Sequence, residues 1–146
     1  MSEIIGHSSR QGPAIPEIID ELHADLDSLW AKASFVPEMD QMAFTTAVIE
    51  AATNVVQHAT PASDAQLQLG VDITIWPRRL QATVSEIGAA ASRPDLDGAS
   101  SPDQDIEAES GRGLALIRAL VSTVTFERHG DTNVWTLCKE SPQAQR

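Results

Sequence analysis

Two neighbouring segments alternate between apolar and polar residues, and this alternation constrains the fold more than any other feature. In the first segment, AQLQLGVDITIWP, every second residue from Leu67 to Ile75 is apolar. The second segment, RRLQATVSEIG, repeats the pattern from Leu80 to Val84. A period of two is that of a strand with one buried face, and only a short Pro77-Arg78 turn separates the segments. We therefore predict an antiparallel hairpin with one apolar face.

The same alternation places Glu86 on the inward face at the end of the second strand. An inward carboxylate at that point can accept a hydrogen bond from an exocyclic amine. Gly88, two residues later, lets the backbone approach a flat ring closely. The alternative is a strand-end glutamate that turns to solvent, and the pattern alone leaves both readings open.

Two helices are predicted before this hairpin. The apolar residues of the first recur at steps of three and four, which is the spacing of one helix face. They are Ile18, Leu22, Leu26, Leu29 and Ala33. The second helix starts near Pro37, where proline is tolerated, and runs to about His58 or Ala59 before Pro61. The first 12 residues hold at most a short strand.

The last third of the chain is predicted to form a helix from about Gly111, then two strands at 123–128 and 133–139 joined as a hairpin. Trp135 on the last strand is expected to pack in the core or at an interface. Antiparallel strands with three helices to cover one face predict a two-layer α+β sandwich, whose sheet is mixed or mostly antiparallel. For 146 residues we expect one domain, with a core of about 13–140.

The second helix has an unusual composition, because Glu50 is its only formally charged residue between Gln41 and Ser63. A helix this apolar, with Met42 and Phe44 among its residues, is predicted to be buried on most sides. Glu50, Asn54 and His58 follow at steps of four and share one face.

The pairing of Glu50 with Asn54 suits a site in which the acid accepts a proton or holds water. The amide oxygen can then hold a hard cation such as magnesium. The alternative is a polar stripe that hydrogen-bonds to the backbone of neighbouring loops.

A long segment, residues 88–110, contains almost no large apolar side chain and is predicted to be a functional or mobile loop. It leads into Gly111-Arg112-Gly113, where free backbone N–H groups at a helix start favour an anion. The stretch matches neither the dinucleotide fingerprint nor the P-loop. A glycine-rich helix entry without a ligand fits it equally well.

Charge and cysteine content narrow the function classes. The formal net charge is −11 and no basic run exists, which argues against nucleic-acid binding. Cys138 is the only cysteine, so neither an intrachain disulfide nor a multi-cysteine metal site is possible. No apolar run approaches the roughly 20 residues of a membrane span, and the N-terminus does not resemble a signal peptide. We expect a cytoplasmic protein without direct nucleic-acid or membrane partners.

The order of these motifs resembles the GHKL ATP-binding fold shared by histidine kinases, gyrase and MutL. Within that fold, EAATNVVQHA and ESGRGLALIRAL resemble the anti-sigma-factor serine kinases of the RsbW and SpoIIAB type, whose N-box reads E-x-x-x-N-x-x-x-H-A. The resemblance covers nearly the whole chain, from about Ile15 to the last strand.

The resemblance implies a role for each matching residue. Glu50 would be the general base for a substrate serine, and Asn54 would bind magnesium. Glu86 stands where the family has its adenine-reading aspartate. The glycines of the two boxes, and the arginine between two of them, would lie against the nucleotide; they are Gly88, Gly111, Arg112 and Gly113.

Some of these assignments carry alternatives. Arg112 would touch phosphate or be solvated, and His58 fits a packed histidine. The first glycine box departs from the family pattern, because D-x-G-x-G becomes Glu86-Ile-Gly88-Ala-Ala90. The longer carboxylate and the added methyl group are expected to weaken ATP binding.

The resemblance also implies a function. We expect an ATP- and Mg2+-dependent protein-serine kinase that acts as a homodimeric anti-sigma factor. It would bind a sigma factor and phosphorylate a STAS-domain antagonist. The alternative is a degenerate GHKL binding module that switches partners without catalysis, and the altered first glycine box favours it. A detached histidine-kinase catalytic domain is less favoured, because the chain is short and has no helical hairpin for dimerisation.

Overall fold

The structure, a computed structural model, describes residues 3–91 and 105–142, with side chains of the third helix described from Gly113 onward. Its helices and strands follow the order predicted from the sequence. They are β1 (Gly6–Pro13), α1 (Glu17–Lys32), α2 (Glu38–His58), β2 (Gln68–Trp76), β3 (Arg79–Ile87), α3 (Asp105–Leu120), β4 (Thr123–His129) and β5 (Thr132–Glu140).

The strands form one five-stranded sheet in the order β1-β2-β3-β5-β4. Every pairing within this sheet is antiparallel, so the mixed arrangement is not adopted. The register places Glu86 of β3 opposite Asn133 of β5, and Val84 opposite Trp135. The fold is a two-layer α+β sandwich, as predicted.

The core lies between the helices and one side of the sheet, which we call the helix-facing side. The alternating residues of β2 from Leu69 to Ile75 are buried there, as the sequence pattern predicts. α1 contributes the apolar stripe that begins at Ile18 and ends at Leu29. Phe44 of α2 is fully buried and meets the ring of Trp30 edge to face, with 6.2 Å between ring centroids.

The burial of α2 differs from the prediction. Phe44 and Val48 are fully buried, but Met42 is 70% exposed and Glu50 is half-buried. Residues two apart on a helix point about 200° apart, so Met42 and Phe44 cannot face the same layer. The helix is buried along one face only. Among the described residues, no helix is long and apolar enough to cross a membrane.

The start of α3 also differs from the prediction. The helix begins at Asp105, six residues before Gly111. The stretch from Asp105 to Ser110, DIEAES, has no proline or glycine, and its acidic residues suit the first turns of a helix. Gly111 and Gly113 consequently lie inside the helix. The remainder of the predicted long loop, 92–104, lies outside the described residues.

β1 is longer than the short strand expected from its sequence. It spans eight residues and pairs along its whole length with β2. Hydrogen bonds to the edge of β2 stabilise the strand although its sequence has little apolar alternation. Arg10 of β1 reaches over to α1, where Nε and Nη2 donate to the two carboxylate oxygens of Asp25 at 2.9 and 2.8 Å. This bidentate pair ties the first strand to the first helix.

Candidate functional site

A small cavity of about 40 Å³ lies where α2 and α3 cover the ends of β3, β4 and β5. Apolar and polar side chains from both layers line it. They are Ala51, Asn54, Glu86, Leu114, Ile117, Val124, Trp135 and Leu137. Asn54 and Glu86, which come from two separate sequence motifs, thus share one cavity.

Glu86 points inward, as the strand period predicts, and is only 8% exposed. Its carboxylate is held by two donors from β5. Asn133 Nδ2 donates to Oε1 at 2.9 Å, and Trp135 Nε1 donates to Oε2 at 2.7 Å. The alternative of a strand-end glutamate turned to solvent is therefore wrong.

The Asn133 amide is itself part of a wider network. Its Nδ2 also donates to the carbonyl oxygen of Ala90 at 2.9 Å, while its Oδ1 accepts from Arg128 Nη1 at 2.9 Å. The same Arg128 nitrogen donates to the carbonyl oxygen of Ala89 at 2.7 Å. The residues after β3 are thereby fastened to β4 and β5.

The first glycine box is held in place by backbone hydrogen bonds on two sides. The N–H groups of Gly88 and Ala89 both donate to the carbonyl oxygen of Asp131, in the β4–β5 turn, while Ala90 N–H donates to Thr60 O at 2.7 Å, just after α2. Gly88 has a φ of 79°, a left-handed conformation that favours glycine. The conformation of the turn after β3 therefore explains why position 88 is a glycine.

Glu50 and Asn54 lie together on α2, as their spacing predicts, and α3 packs directly against them. A β-carbon placed on Gly113 would lie 2.9 Å from Asn54 Nδ2, 3.1 Å from Asn54 Oδ1 and 3.4 Å from Glu50 Oε2. Only a glycine allows this approach without a shift of Asn54. Gly113 therefore lies at the candidate site, where it packs against the side chains of Asn54 and Glu50.

Gly111 and Gly113 do not lie at the start of the third helix, where an anion would bind. Backbone N–H groups are unpaired only in the first turn, and Gly111 lies beyond the first turn of a helix that begins at Asp105. The Arg112 side chain is outside the described part of the chain. Phosphate contacts by Gly111, Arg112 and Gly113 stay predictions. His58, at the end of α2, is half-buried.

The site residues predicted from the sequence do not include three members of this network, which are Arg128, Asn133 and Trp135. A signal was present for two of them. Asn133 and Trp135 are two residues apart and continue the alternation of Leu137, which puts all three on the helix-facing side. An inward asparagine on a strand requires a polar partner, and Glu86 is that partner. The role of Arg128 depends on a contact that no local pattern indicates.

The donor set fits magnesium and a nucleobase, although the cavity is smaller than the base. The amide oxygen of Asn54 is a hard ligand of the kind that magnesium prefers, and phosphates would supply further ligands. Among the described side chains no cluster of three His, Cys, Asp or Glu residues that could hold a metal ion exists. The cavity of about 40 Å³ has room for a few water molecules, however, which is less than a nucleobase needs.

The comparison with protein families decides the classification. The model of the histidine kinase-like ATPase domain matches residues 13–139. The chain belongs to this family of the GHKL superfamily. Domains of this family bind ATP, typically with Mg2+.

Solved structures agree on the fold. The histidine kinase AdeS of Acinetobacter baumannii superposes with a TM-score of 0.50 at 12% sequence identity, over 92% of this chain and 68% of that one. At this identity the likeness concerns the fold alone. The search of curated proteins found no match.

Proposed function

We propose that this ATPase-family domain is an ATP-dependent protein-serine kinase that acts as an anti-sigma regulatory factor. It binds a sigma factor and phosphorylates a STAS-domain antagonist on serine. The observation that carries the proposal is the meeting of two motifs. Asn54, one turn from Glu50 on α2, lines the same cavity as Glu86 at the end of β3.

The chemistry assigns one task to each residue of this cavity. Glu86 would accept a hydrogen bond from the adenine amine, and Asn54 Oδ1 would hold magnesium. The chemistry that the metal would supply is neutralisation of negative charge on the phosphates. Because Glu50 lies one turn from Asn54 on α2, we expect its carboxylate to face the transferred phosphoryl group.

Glu50 acts as general base in the transfer step. The substrate serine oxygen forms a bond to the γ-phosphorus while its hydroxyl proton passes to a carboxylate oxygen of Glu50. The bond between that phosphorus and the β,γ-bridging oxygen breaks, and ADP leaves. The phosphoryl group ends on serine and the proton on Glu50.

The partners follow from the resemblance of the N-box and second glycine box to the anti-sigma kinases. The net charge of −11 supports protein partners with basic patches, because charge complementarity speeds their association. A homodimer is part of the same proposal. Size-exclusion chromatography with light scattering, alone and with each candidate partner, tests both statements.

A second function is favoured by one specific observation. Gly113 is packed on Asn54 and the cavity is small, an arrangement that suits a degenerate GHKL module that switches partners without nucleotide. The departure of Glu86 and Ala90 from the usual first glycine box points the same way. Nucleotide binding separates the two functions.

The first experiment titrates the protein with Mg-ATP and follows tryptophan fluorescence, since Trp135 lines the cavity. We expect saturable binding that weakens at least about tenfold in Glu86→Ala and Asn54→Ala, the loss of one or two hydrogen bonds or metal contacts. Gln57→Ala, which removes an exposed carboxamide from the same helix, is the matched control. No binding at millimolar nucleotide would support the adaptor.

The second experiment incubates the protein with labelled ATP and STAS-domain proteins from the same genome. Glu50→Gln should lower the rate of serine phosphorylation by about 10² to 10³ and leave Mg-ATP affinity within about threefold, because a general base acts on transfer. Glu38→Gln, an exposed acid on the same helix, should transfer phosphate at the normal rate. A fully active Glu50→Gln protein would refute the assignment of the base.

A further inference from the structure

We propose that Asn133 and Trp135 are positioning residues that make Glu86 selective for a nucleobase carrying an amino group, and that Arg128 sets the orientation of Asn133. This inference rests on the proposed nucleotide-binding function and adds the residues that determine base specificity. It starts from the two β5 donors that hold the Glu86 carboxylate at 2.9 and 2.7 Å.

The direction of each hydrogen bond in the network is determined by chemistry. A guanidinium has only donors, so Arg128 Nη1, at 2.9 Å, requires the Oδ1 side of the Asn133 amide. The Nδ2 side must then face Glu86 Oε1 and the carbonyl oxygen of Ala90, both acceptors at 2.9 Å. The indole of Trp135 is a donor only. The orientation of the Asn133 amide is therefore unambiguous.

The network compensates for the longer side chain at position 86. A glutamate has one more rotatable bond than the aspartate expected there, and its carboxylate is otherwise free to move. The two donors come from one strand, in register with β3, and hold one carboxylate oxygen each. Holding the acceptor in advance lowers the ordering cost that a ligand must overcome.

The same network dictates what Glu86 can recognise. A carboxylate has about four lone-pair positions, and the β5 donors use one on each oxygen. The remaining positions are acceptors in a site that is 8% exposed. A base with an amino group satisfies them, whereas a 6-oxo purine places a second acceptor against the carboxylate and is rejected.

The test compares three triphosphates whose purine carries an amino group, an oxo group or hydrogen at position 6: ATP, ITP and purine riboside triphosphate. Each triphosphate is titrated, in the presence of magnesium, into the wild-type protein and into three variants, and its Kd is measured. The variants are Trp135→Phe, Asn133→Ala and Arg128→Met. Matched controls lie at the turn between β2 and β3, where the Arg79 guanidinium is 4.3 Å from the Trp76 ring centroid. They are Trp76→Phe and Arg79→Met.

We expect wild type to prefer ATP to ITP at least about tenfold. Trp135→Phe and Asn133→Ala should lower ATP affinity about fivefold, the loss of one hydrogen bond's worth of positioning, while purine riboside triphosphate binding changes less than twofold. The ratio of the ATP affinity to the ITP affinity should therefore decrease in both variants. Arg128→Met should shrink it about two- to threefold, and both controls should keep the wild-type ratio.

Three results would overturn the inference, and they are distinguishable. If the β5 variants weaken all three nucleotides equally, the network is only structural and the proposed function stands. If affinity and selectivity do not change, the network has no role in recognition and the proposed function again stands. If wild type binds none of the nucleotides while circular dichroism shows it folded, the proposed function fails and this inference with it.

Discussion

The helix-facing side of the sheet carries hydrogen-bonded charged groups both at its β1 edge and at its β3–β5–β4 end, and these two places differ in burial. At the β1 edge, Arg10 pairs with Asp25 at the rim, where the Arg10 side chain stays 36% exposed. At the β3–β5–β4 end, Asn133 is fully buried and Glu86 is 8% exposed. Aliphatic residues of β2 and β3 fill the sheet between them.

Hydrogen bonds to a charged side chain have different consequences at the two places, because the charged groups differ in how deeply they are buried. A rim pair loses little hydration and contributes little net stability, so it acts as a tie between two elements. A buried carboxylate costs free energy unless each oxygen has a partner, and at Glu86 each oxygen has one. The position of this buried group at a cavity supports the binding role proposed for Glu86, whereas the rim pair needs no such explanation.

The largest effect is expected in the apolar region between the two places. Phe44→Ala removes a fully buried ring that meets Trp30, and should lower the free energy of unfolding by about 3–5 kcal/mol. Met42→Ala, at a 70% exposed position on the same helix, should change it by less than about 0.5 kcal/mol. Urea denaturation followed by circular dichroism measures both. Equal losses would contradict the one-sided burial of α2.

A double-mutant cycle at the buried end comes next. Asn133→Ala leaves Glu86 Oε1 without its donor and should lower the free energy of unfolding by about 1–3 kcal/mol. In the Glu86→Ala background the same change should be smaller, with a coupling free energy above about 0.5 kcal/mol. Additive losses would mean that the two side chains act independently.

The rim pair should contribute less than the buried network. Arg10→Met should lower the free energy of unfolding by about 1 kcal/mol, and the loss should shrink in high salt.

The pH dependence of the rim pair follows from the charge of the guanidinium. The hydrogen bond and the charge of Asp25 raise the pKa of Arg10. While Asp25 is ionised, the stabilisation from the guanidinium is therefore fully present below the ordinary pKa of Arg10 and fades only as the pH rises through the raised value. The loss on substitution should be the same at pH 7 and pH 9. Unfolding at these two pH values is the measurement, and a difference between them would contradict this origin of the stability.

A small change in stability is expected at Gly113. Glycine to alanine normally stabilises a helix interior by up to about 1 kcal/mol, but here the new methyl group would lie 2.9 Å from Asn54 Nδ2 and displace it. Gly113→Ala should therefore change the free energy of unfolding by less than about 1 kcal/mol and weaken Mg-ATP binding several-fold.

In the Asn54→Ala background the same Gly113→Ala change should stabilise the protein, because the obstructing amide is gone. Thermal unfolding and isothermal titration distinguish the two backgrounds. The contact between α3 and Asn54 would be disproved by a gain in stability that is the same in both.

Much of the fold could be predicted from local patterns. The alternation from Leu67 to Val84 predicts two strands and the inward direction of Glu86, and the bounds of α2 follow from its flanking prolines. The start of α3 could not be found this way, because Asp105 to Ser110 contains helix-forming residues without an apolar stripe. β1 was underestimated because the edge of β2 supplies its stabilisation.

Individual residues of the candidate site could be predicted from the sequence, but the contacts between residues from different elements could not. The spacing of Glu50 and Asn54 on one helix predicts that they lie together, and α3 meets both at Gly113. The exposure of Met42 and the depth of Glu50 depend on which face of α2 packs, which composition does not specify. The contact of Gly113 with Asn54 depends on how two helices pack, and neither sequence stretch indicates it alone.

The sequence by itself determined most of the strands and helices, apart from the length of β1 and the start of α3, and the side of its strand on which Glu86 lies, because strand and helix periods are local properties of the chain. Only the tertiary structure decided the partners of that carboxylate. Asn133 and Trp135 are 47 and 49 residues away along the chain. They reach Glu86 because the sheet order places β5 beside β3, and such proximity depends on the packing of the whole sheet.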